Sequence, residues 1–569
     1  MKSKKKGIGV CRRGFLKASA GVVAVSIISE ASTYADDIGP QGGRARAESA
    51  ENLREHVAEA DGDKVPIPNH PDNGDEALYS TKFANYSKCL KHDPTTGEVD
   101  PAAYAALIAA ISSGRFSDFE ALLKNGYLGC ADPTVQRRLV NPISGYAFDM
   151  EGIDSHQLKL PPAPKFASAQ EAGEAVELYW MALIRDVNFS DYLTDPTVAA
   201  AVADLSNLSD FRGPKVGGAV TPQTLFRDNY PGTLDGPYIS QFLLQPTAFG
   251  AMRVDTKTAT VFPGVDFMTD FTSWLNVQDG VNTGPTPTTG SKRYCLTARD
   301  LTHYVNIDQL FEAYFVACLN LLANGYLANP GNPYGRVLDG GAGRPRNLTI
   351  DAAGSLAQVG FGTFGGPACI TLASEPATRA LKNVWYQKWL VHRRLRPEEF
   401  GGRVEVQRLG RRSYPFHADL GASSVLAAVF GKYGSYLLPM AYAEGSPNHT
   451  SYGSGHATVA GAAVTMLKWL FDETQLIKNP VVPNPADGGQ TLIPYTGTPL
   501  TVGGELNKIV SNVSQGRNIA GVHWRTDAVE SNRLGEDTAI SILKDIRHTV
   551  AEPFEGSTFT KFDGTTVTV

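Results

Sequence analysis

Residues 448–459 gather small and proton-transferring side chains immediately before an apolar run. Ser454 and Gly455 stand where a helix is expected to begin, and the free backbone N–H groups and the dipole of a helix start attract oxyanions. Ser454 adds a hydroxyl donor, and His449 and His456 can move protons near neutral pH. The same pattern also fits an ordinary helix N-cap, so these residues alone leave both interpretations open.

Cationic residues stand on both sides of that stretch in the chain. Lys388 and Arg396 precede it, and Arg517 follows it. Two guanidinium groups and one ammonium would balance the charge of a tetrahedral oxyanion, which hydroxyl and amide groups only hydrogen-bond. A third histidine, His523, has Asp527 one helical turn later, where a carboxylate can orient the ring. Together these residues predict a site for a multiply charged oxyanion.

Each of these residues also has an ordinary structural interpretation. Basic residues at the C-terminal end of a helix are favoured by the helix dipole, and this applies to the arginines of 393–396 as a group. His523 by itself fits a hydrogen-bonded interior histidine. His392, one turn after Lys388, is interpreted as a packing histidine or as a support for the site.

The three segments in this order resemble the signature that vanadium-dependent haloperoxidases share with related acid phosphatases. Seven residues separate Lys388 from Arg396, Ser-Gly-His follows at 454–456, and five residues separate Arg517 from His523. The first spacing, together with His449, resembles the bromoperoxidase branch of marine algae and related bacteria. The likeness extends from about residue 73 to the last helix, and it includes residues 97–104, 177–183 and 364–367.

The resemblance implies a vanadate cofactor. His523 is the implied vanadium ligand, and a second group is implied to hold the vanadate oxygens: Lys388, Arg396, Ser454, Gly455 and Arg517. His456 is implied to exchange protons with hydrogen peroxide, Lys388 to polarise it, and His449 to tune halide attack. The implied reaction is the oxidation of halide by hydrogen peroxide to hypohalous acid, which halogenates a small organic acceptor.

Four further residues are expected around these groups. Asp527 and His392 would support the ligands from behind, and Trp385 and Gln387 would line a halide pocket beside Lys388. Gln387 stands where some red-algal relatives have an arginine, so their halide preference does not transfer directly. Bromide is the predicted halide because its oxidation is less demanding than that of chloride.

Two other functions fit part of the pattern. An acid phosphatase of the same superfamily would use His523 as the nucleophile and His456 as the general acid, and the three motifs do not separate the two chemistries. A non-enzymatic anion-binding protein is the second alternative, although it has no obvious need for two proton-transferring histidines at a helix start. The long N-terminal half of the chain and His449 favour the peroxidase.

Apolar residues at helical spacing predict a mainly α-helical protein with a few short strands. The predicted helices are 101–125, 169–187, 303–324, 376–394, 455–472, 504–519 and 537–548, and the predicted strands are 259–262 and 566–569. The resemblance implies two four-helix bundles with long loops, the anion site lying in 374–548 at the end of the second bundle. Loops at 277–292, 329–347 and 479–503 are long enough to predict functional or partner contacts.

The N-terminal region predicts export. Residues 1–35 combine early lysines, the twin-arginine pair Arg12-Arg13 and an apolar run too short to cross a bilayer. This pattern predicts a twin-arginine signal and a periplasmic or secreted protein without a membrane anchor. Residues 36–72 form a charged segment that is interpreted as an arm, and residues 73–569 form the main unit.

Composition limits the partners and the redox chemistry. A formal net charge of −6 supplies no basic surface for nucleic acid or anionic lipid. Five cysteines remain beyond the signal, and their wide spacing excludes a zinc ribbon while allowing one or two bridges: Cys89, Cys130, Cys295, Cys318 and Cys369. The resemblance also implies a homo-oligomer, a dimer or a dodecamer, and for some relatives a structural calcium ion whose ligands the sequence does not place.

Overall fold

A computed structural model describes residues 43–569 except 131, 337 and 339–357, so the predicted signal at 1–35 lies outside the described residues. The described part of the chain is mostly helical, as the apolar spacing predicts. Its strands form two-stranded antiparallel sheets, β1 with β2, β3 with β4, β5 with β6 and β7 with β8: Thr247–Phe249, Met252–Val254, Thr258–Val261, Thr288–Arg293, Val481–Pro483, Leu492–Pro494, Thr558–Thr560 and Thr566–Thr568.

The helices of the first half, in chain order, are α1 (Gly43–Lys64), α2 (Asp75–Leu78), α3 (Pro101–Ser113), α4 (Phe116–Lys124), α5 (Ala169–Ile184), α6 (Pro196–Ser206), α7 (Gln241–Leu244) and α8 (Phe271–Gln278). Those of the second half are α9 (Ala298–Ile307), α10 (Glu312–Ala323), α11 (Gly366–Ser374), α12 (Pro376–Tyr386), α13 (Pro397–Arg408), α14 (Ala418–Ala422), α15 (Val425–Tyr433), α16 (Gly455–Leu470), α17 (Val502–Ile519) and α18 (Arg525–Arg547). Among these helices, none is long and apolar enough to cross a bilayer.

The charged segment at 36–72 contains helix α1, which is mostly exposed. Its sequence is rich in Ala, Glu and Arg, which have high helix propensity, and Arg44 pairs with Glu48 at 3.0 Å across one turn. The C-terminal end of α1 is anchored by Gln157, whose Nε2 donates to the carbonyl oxygens of Asp61 at 3.1 Å and Val65 at 2.8 Å. The described part of the arm therefore includes a helix whose C-terminal end is tied to the main unit.

Two of the predicted helices are each divided in the structure. Residues 101–125 form α3 and α4 because Gly114, with φ of 62°, ends α3 in a left-handed conformation. Residues 303–324 belong to α9 and α10, and Asp308 is the C-cap residue of α9. The last helix begins at Arg525 instead of near residue 537. Periodicity identified these helices, but the caps set their ends.

Helices α5, α6, α14 and α15 pack around one hydrophobic core. Helix α5 lies at the centre of this group, and nearly all of its side chains are buried. Helix α5 also contacts α17, so the group leads directly into the second half of the fold.

Helices α12, α16, α17 and α18 form the four-helix bundle that carries the motif residues. Helix α16 is almost completely buried because small and apolar residues occupy every side of it. It lies closest to α18, where Gly461 faces the backbone of Asn532 and Gly535 faces the backbone of Thr458. This bundle holds the N-terminal end of α16 in a fixed position inside the protein.

The segment between α12 and α13 differs from the sequence prediction. Helix α12 continues into a π-helical turn, Gln387–His392, and Arg393 then takes a left-handed conformation with φ of 42°. Arg396 does not end that helix as predicted. It is the N-cap residue of α13, because Pro397 occupies the first helical position, where a missing N–H costs nothing. Single π-helical turns are frequent at functional sites.

None of the cysteines that the structure describes is bridged, although export would allow it. The free thiols belong to Cys89, Cys130, Cys295, Cys318 and Cys369. Burial raises the pKa of the Cys89 and Cys369 thiols to about 12, so both stay protonated and unreactive.

Candidate active site

The three motif segments converge at the N-terminal end of α16. Lys388 comes from the π-helical turn, Arg396 from the N-cap of α13, and Arg517 from the end of α17. Ser454 caps α16, and its Oγ accepts a hydrogen bond from the backbone N–H of Ala457 at 3.4 Å. The hydroxyl hydrogen and the first backbone N–H groups of α16 therefore remain available as donors at a positive helix end.

Lys388 is completely buried and has only backbone oxygens as partners. Its Nζ donates to the carbonyl oxygens of Thr450 at 2.7 Å and Ser451 at 3.1 Å. An ammonium carries three N–H donors, so one is left for another acceptor. Burial lowers the pKa of Lys388 well below its ordinary value, and the nearby Arg396 guanidinium lowers it further. A bound anion would offset both effects.

Arg396 joins the two halves of the site. Its Nε donates to the carbonyl oxygen of His449 at 2.8 Å, and one terminal nitrogen donates to the carbonyl oxygen of Val522 at 2.6 Å. The same nitrogen lies 3.1 Å from Nε2 of His523, and the other lies 2.8 Å from Nδ1 of His449. Burial lowers the pKa of Arg396 to about 10, so the group stays cationic at neutral pH.

Arg517 lies on the other side of the site. Its terminal nitrogen donates to the carbonyl oxygen of Val305 at 2.6 Å, and its guanidinium lies 5.5 Å from the ring centre of Tyr442. Its Nε is buried and has no hydrogen-bond partner. A buried donor without a partner is costly, which indicates that an acceptor belongs there.

His523 is oriented by Asp527 as the spacing predicts. The ring Nδ1 lies 3.0 Å from Oδ2 of Asp527, and a carboxylate can only accept, so Nδ1 carries the hydrogen. Nε2 is then the atom with the free electron pair. Burial, followed by the Arg396 charge, lowers the pKa of His523 well below its ordinary value. A neutral imidazole with an unprotonated Nε2 is the form that binds a metal centre.

Arg394 supports Asp527 and was not singled out by its sequence context. One of its terminal nitrogens donates to Oδ1 of Asp527 at 2.8 Å, and the other contacts the carboxylate of Glu171. Ser451 Oγ donates to Oδ2 of Asp527 at 2.5 Å. The sequence offers only a run of basic residues at 393–396, where the helix dipole is a sufficient explanation for any one of them.

His456 is paired with a carboxylate that no motif indicates. Its Nε2 lies 3.1 Å from Oδ1 of Asp308, at the end of α9. Nε2 therefore carries a hydrogen, and Nδ1 is left to exchange a proton with a ligand. Burial lowers the pKa of His456, while Asp308 partly opposes this effect. No spacing in the chain could have linked two residues that are 148 positions apart.

Trp385 and His449 form one wall beside Lys388. The two rings lie 4.7 Å apart, and Nζ of Lys388 lies 5.5 Å from the Trp385 ring centre. Burial, followed by the charges of Lys388 and Arg396, lowers the pKa of His449 well below its ordinary value. His449 is therefore neutral here, and its Nδ1 lies 2.8 Å from a guanidinium nitrogen of Arg396 and 3.1 Å from the carbonyl oxygen of Thr450. The role implied for His449, tuning halide attack, therefore starts from the neutral ring.

Gln387 and His392 are not brought to the cluster by any described hydrogen bond. Gln387 Nε2 donates to the carbonyl oxygen of Leu158 at 2.8 Å, and its Oε1 accepts from Leu160 N–H at 3.3 Å. His392 packs against the Tyr452 ring at 4.8 Å, and neither of its ring nitrogens has a partner. These contacts favour the packing interpretation of His392. Gln387 instead ties α12 to the segment around residue 160.

The donor set fits vanadate or another tetrahedral oxyanion. Lys388, Arg396 and Arg517 are 0%, 0% and 3% exposed, and none of the described carboxylates forms an ion pair with them. Buried cations without counterions are unfavourable, so the cluster is complementary to an anion. His523 Nε2 supplies a neutral nitrogen donor beside these cations. For the calcium expected by resemblance, the described residues include no group of three or more metal-binding side chains.

Comparison with known proteins agrees with this geometry. The family model described as the VCPO second helical-bundle domain matches residues 415–552. Vanadium-dependent bromoperoxidases of Corallina pilulifera and Ascophyllum nodosum are 34% and 35% identical to the chain, covering 92% and 84% of it and 99% and 85% of themselves. The homohexameric structure of the second vanadate-dependent bromoperoxidase from Ascophyllum nodosum superposes with a TM-score of 0.83 at 28% identity, covering 96% of this chain and 94% of that one.

Identity at this level over nearly the full length, together with the shared fold, defines the family. The chain belongs to the vanadium-dependent bromoperoxidases. This confirms the resemblance that the three motifs indicated and the mainly helical fold that it implied.

Proposed function

We propose that this chain is a vanadate-dependent haloperoxidase that oxidises bromide with hydrogen peroxide to hypobromous acid, which then halogenates organic acceptors. The single observation that carries the proposal is the group of three buried cations, none paired with a described carboxylate, whose charges act on His523, with Arg396 lying 3.1 Å from its Nε2. The bromoperoxidase relatives support it over most of the chain, and they do not favour the phosphatase alternative.

Each residue of the site would have a different role in binding vanadate. His523 Nε2 would be the metal ligand, and Arg396, which now donates to that atom, would turn its N–H toward an oxygen. Lys388 has one N–H to offer, Arg517 has its unpartnered Nε, and Ser454 has its hydroxyl hydrogen. When bound, vanadate supplies a Lewis acid that activates hydrogen peroxide toward halide without a change in its own oxidation state.

His456 is the proposed proton carrier. Asp308 holds the hydrogen on Nε2, which leaves Nδ1 to accept a proton from incoming hydrogen peroxide and to return one to the leaving water. The ring is partly exposed, unlike those of His449 and His523, so incoming hydrogen peroxide could reach it. Lys388 and the wall formed by Trp385 and His449 would orient the halide and exclude excess water.

A paired assay tests the proposal against its alternatives. The purified protein is loaded with vanadate and tested for bromide oxidation with hydrogen peroxide. The same protein without vanadate is tested for hydrolysis of a phosphate monoester. We expect bromide oxidation that depends on vanadate, and phosphatase activity that is much weaker. Phosphatase activity without bromide oxidation would identify the acid phosphatase, and neither activity despite vanadate binding would indicate a binding protein.

We also propose that the protein is a homo-oligomer. The similar Ascophyllum nodosum structure is homohexameric, and the exposed helix α1 provides surface for contacts between copies. Because that relative is a hexamer, we propose a hexamer as a third possible state beside the dimer and the dodecamer. Light scattering on the purified protein should give a multiple of the mass of one chain, and a strict monomer would contradict the proposal.

A further inference from the structure

The first turn of α13 is held by two consecutive residues from the N-terminal half of the chain. Ser87 contacts Glu399, and Lys88 contacts Glu398. All four side chains are buried. The two glutamates follow Arg396 and Pro397 in the first turn of the helix. This contact, here called the 87–88 clamp, therefore lies beside a residue of the anion site.

The Ser87 side of the clamp fixes the backbone of Arg396. Glu399 Oε1 accepts from the N–H and the Oγ of Ser87 at 2.8 and 2.9 Å, and Oε2 accepts from Arg396 N–H at 2.6 Å. Ser87 Oγ also lies 3.1 Å from Nε2 of His92, whose Nδ1 lies 2.9 Å from Asp279. This Asp-His-Ser arrangement resembles a hydrolase triad, but Ser87 is fully buried and its hydroxyl is committed to Glu399. The result of these contacts is that the backbone of Arg396, the N-cap residue of α13, is held in place.

The Lys88 side of the clamp fixes the loop that carries His449. Lys88 Nζ lies 2.6 Å from Oε1 of Glu398 and donates to the carbonyl oxygen of Ser446 at 2.5 Å. Glu398 Oε2 accepts from Ser446 N–H at 2.8 Å, so the pair holds both backbone groups of one loop residue. Gly445 has φ of 65°, and an added Cβ would lie 2.5 Å from Glu398. The backbone of residues 444–449 is therefore shaped around this pair.

A completely buried ion pair is a poor source of stability, because desolvating two charges offsets most of their attraction. Both Lys88 and Glu398 are 0% exposed. Apolar residues of the same size would fill that space as stably, but they could not bind the backbone N–H and carbonyl of Ser446. The specific contribution of the pair is the position of the loop.

We infer that Ser87 and Lys88 are positioning residues for the anion site, Ser87 acting through Glu399 on Arg396 and Lys88 acting through Glu398 on the His449 loop. The inference rests on the proposed function for the part of its test that uses bromide turnover. The inference predicts that substitutions of the adjacent residues Ser87 and Lys88 have different effects. Loss of the Ser87 contact changes anion affinity, and loss of the Lys88 contact changes turnover.

The Lys88 side is tested with Lys88→Met, which keeps the length of the side chain and removes its charge. Lys508→Met is the matched control, because Lys508 forms an equally buried pair with Glu505 at 2.5 Å near the start of α17. In Lys88→Met we expect faster amide hydrogen exchange in residues 444–449 and a fall in bromide turnover of about 10- to 100-fold, the range for partners that orient catalytic ligands. Vanadate affinity should fall no more than about threefold.

The Ser87 side is tested with Ser87→Ala. Ser423→Ala is its control, because Ser423 Oγ also donates to a carboxylate, Asp204 at 2.6 Å, in the α5 helix group. Vanadate affinity, measured by equilibrium dialysis, should fall about tenfold in Ser87→Ala, while exchange in residues 444–449 stays as in the parent. The Ser423 and Lys508 controls should keep parental affinity, loop exchange and turnover even where their melting temperatures fall.

Three outcomes would overturn the inference. One is parental loop exchange in Lys88→Met, another is parental vanadate affinity in Ser87→Ala, and the third is an equal loss in each variant and its control. Lys88→Arg is the second variant, for the case in which Lys88→Met does not fold. Because it keeps the positive charge, it should show the parental rate of amide exchange in residues 444–449. Equilibrium dialysis and hydrogen exchange do not depend on bromide oxidation. If the parent protein failed to oxidise bromide, the proposed function would be refuted, but these two measurements would still test the roles of Ser87 and Lys88.

Discussion

The three histidines of the site differ in the partner that each ring has. Asp527 holds Nδ1–H of His523, and Asp308 holds Nε2–H of His456, so each of these rings has one defined free nitrogen. His449 has no carboxylate. Its nearest charged partner is the guanidinium of Arg396, and burial followed by the charges of Lys388 and Arg396 lowers its pKa, so the ring stays neutral. The carboxylate partners thus fix which nitrogen of His523 and of His456 is free to meet a ligand.

Replacing His449 should affect bromide turnover much more than vanadate affinity. In His449→Ala, the cations Lys388 and Arg396 keep their backbone partners, so vanadate affinity should change by less than about tenfold, or roughly 1.4 kcal/mol. Bromide turnover should fall on the order of 100-fold, as for loss of a proton-transfer partner. Vanadate titration of the variant beside its bromide-oxidation rate measures both. Equal losses would make His449 an architectural residue, and an unchanged rate would remove it from the active site.

At the scale of the elements, the closest helix packing determines where the site can form. Helix α16 presents the anion-binding end, and its position depends on contact with the backbone of α18. A Cβ added to Gly535 would lie 2.0 Å from the carbonyl oxygen of Thr458, and one added to Gly461 would lie 2.1 Å from that of Asn532. Only glycine allows the two helices to approach this closely.

Gly535→Ala should therefore destabilise the protein by about 1–3 kcal/mol, because the two helices must move apart to accept the methyl group. The matched control is Gly431→Ala in α15, where a Cβ would meet nothing within 4 Å. That control should be neutral or stabilising by roughly 0.5–1 kcal/mol, because alanine is the better helix former. Chemical denaturation of both variants measures the difference. A fully stable Gly535→Ala protein would refute the close-packing account.

Hydrophobic periodicity predicted some helix bounds well and missed others. Helices α5, α16 and α17 are close to their predicted bounds, because their buried residues repeat over four or more turns. The division of 101–125 depends on one left-handed glycine, and the π-helical turn after α12 has no distinct periodicity of its own. The early start of α18 was missed because its first turns are polar residues that tertiary contacts bury.

At the scale of the whole molecule, the site is assembled from distant parts of the chain. The motif residues that converge on the proposed anion site could be picked out from sequence because their motifs are local and occur in a fixed order. Their supporting partners could not, because Asp308 is 148 positions from His456, and Arg394 is 133 positions from Asp527. Hydrogen bonds of this kind depend on how helices and loops meet after folding, which residue spacing does not encode.

The vanadate affinity of His523→Ala tests the central claim most directly. His523 Nε2 is the one proposed metal–protein bond, so its loss should leave an anion held only by charge and hydrogen bonds. We predict that equilibrium dialysis shows an affinity at least 100-fold weaker than the parent, about 2.7 kcal/mol, with bromide oxidation lost. Asp527→Asn, which keeps the imidazole but weakens its orientation, should lose about 10- to 100-fold. A His523→Ala protein that bound vanadate as tightly as the parent and oxidised bromide normally would contradict the account.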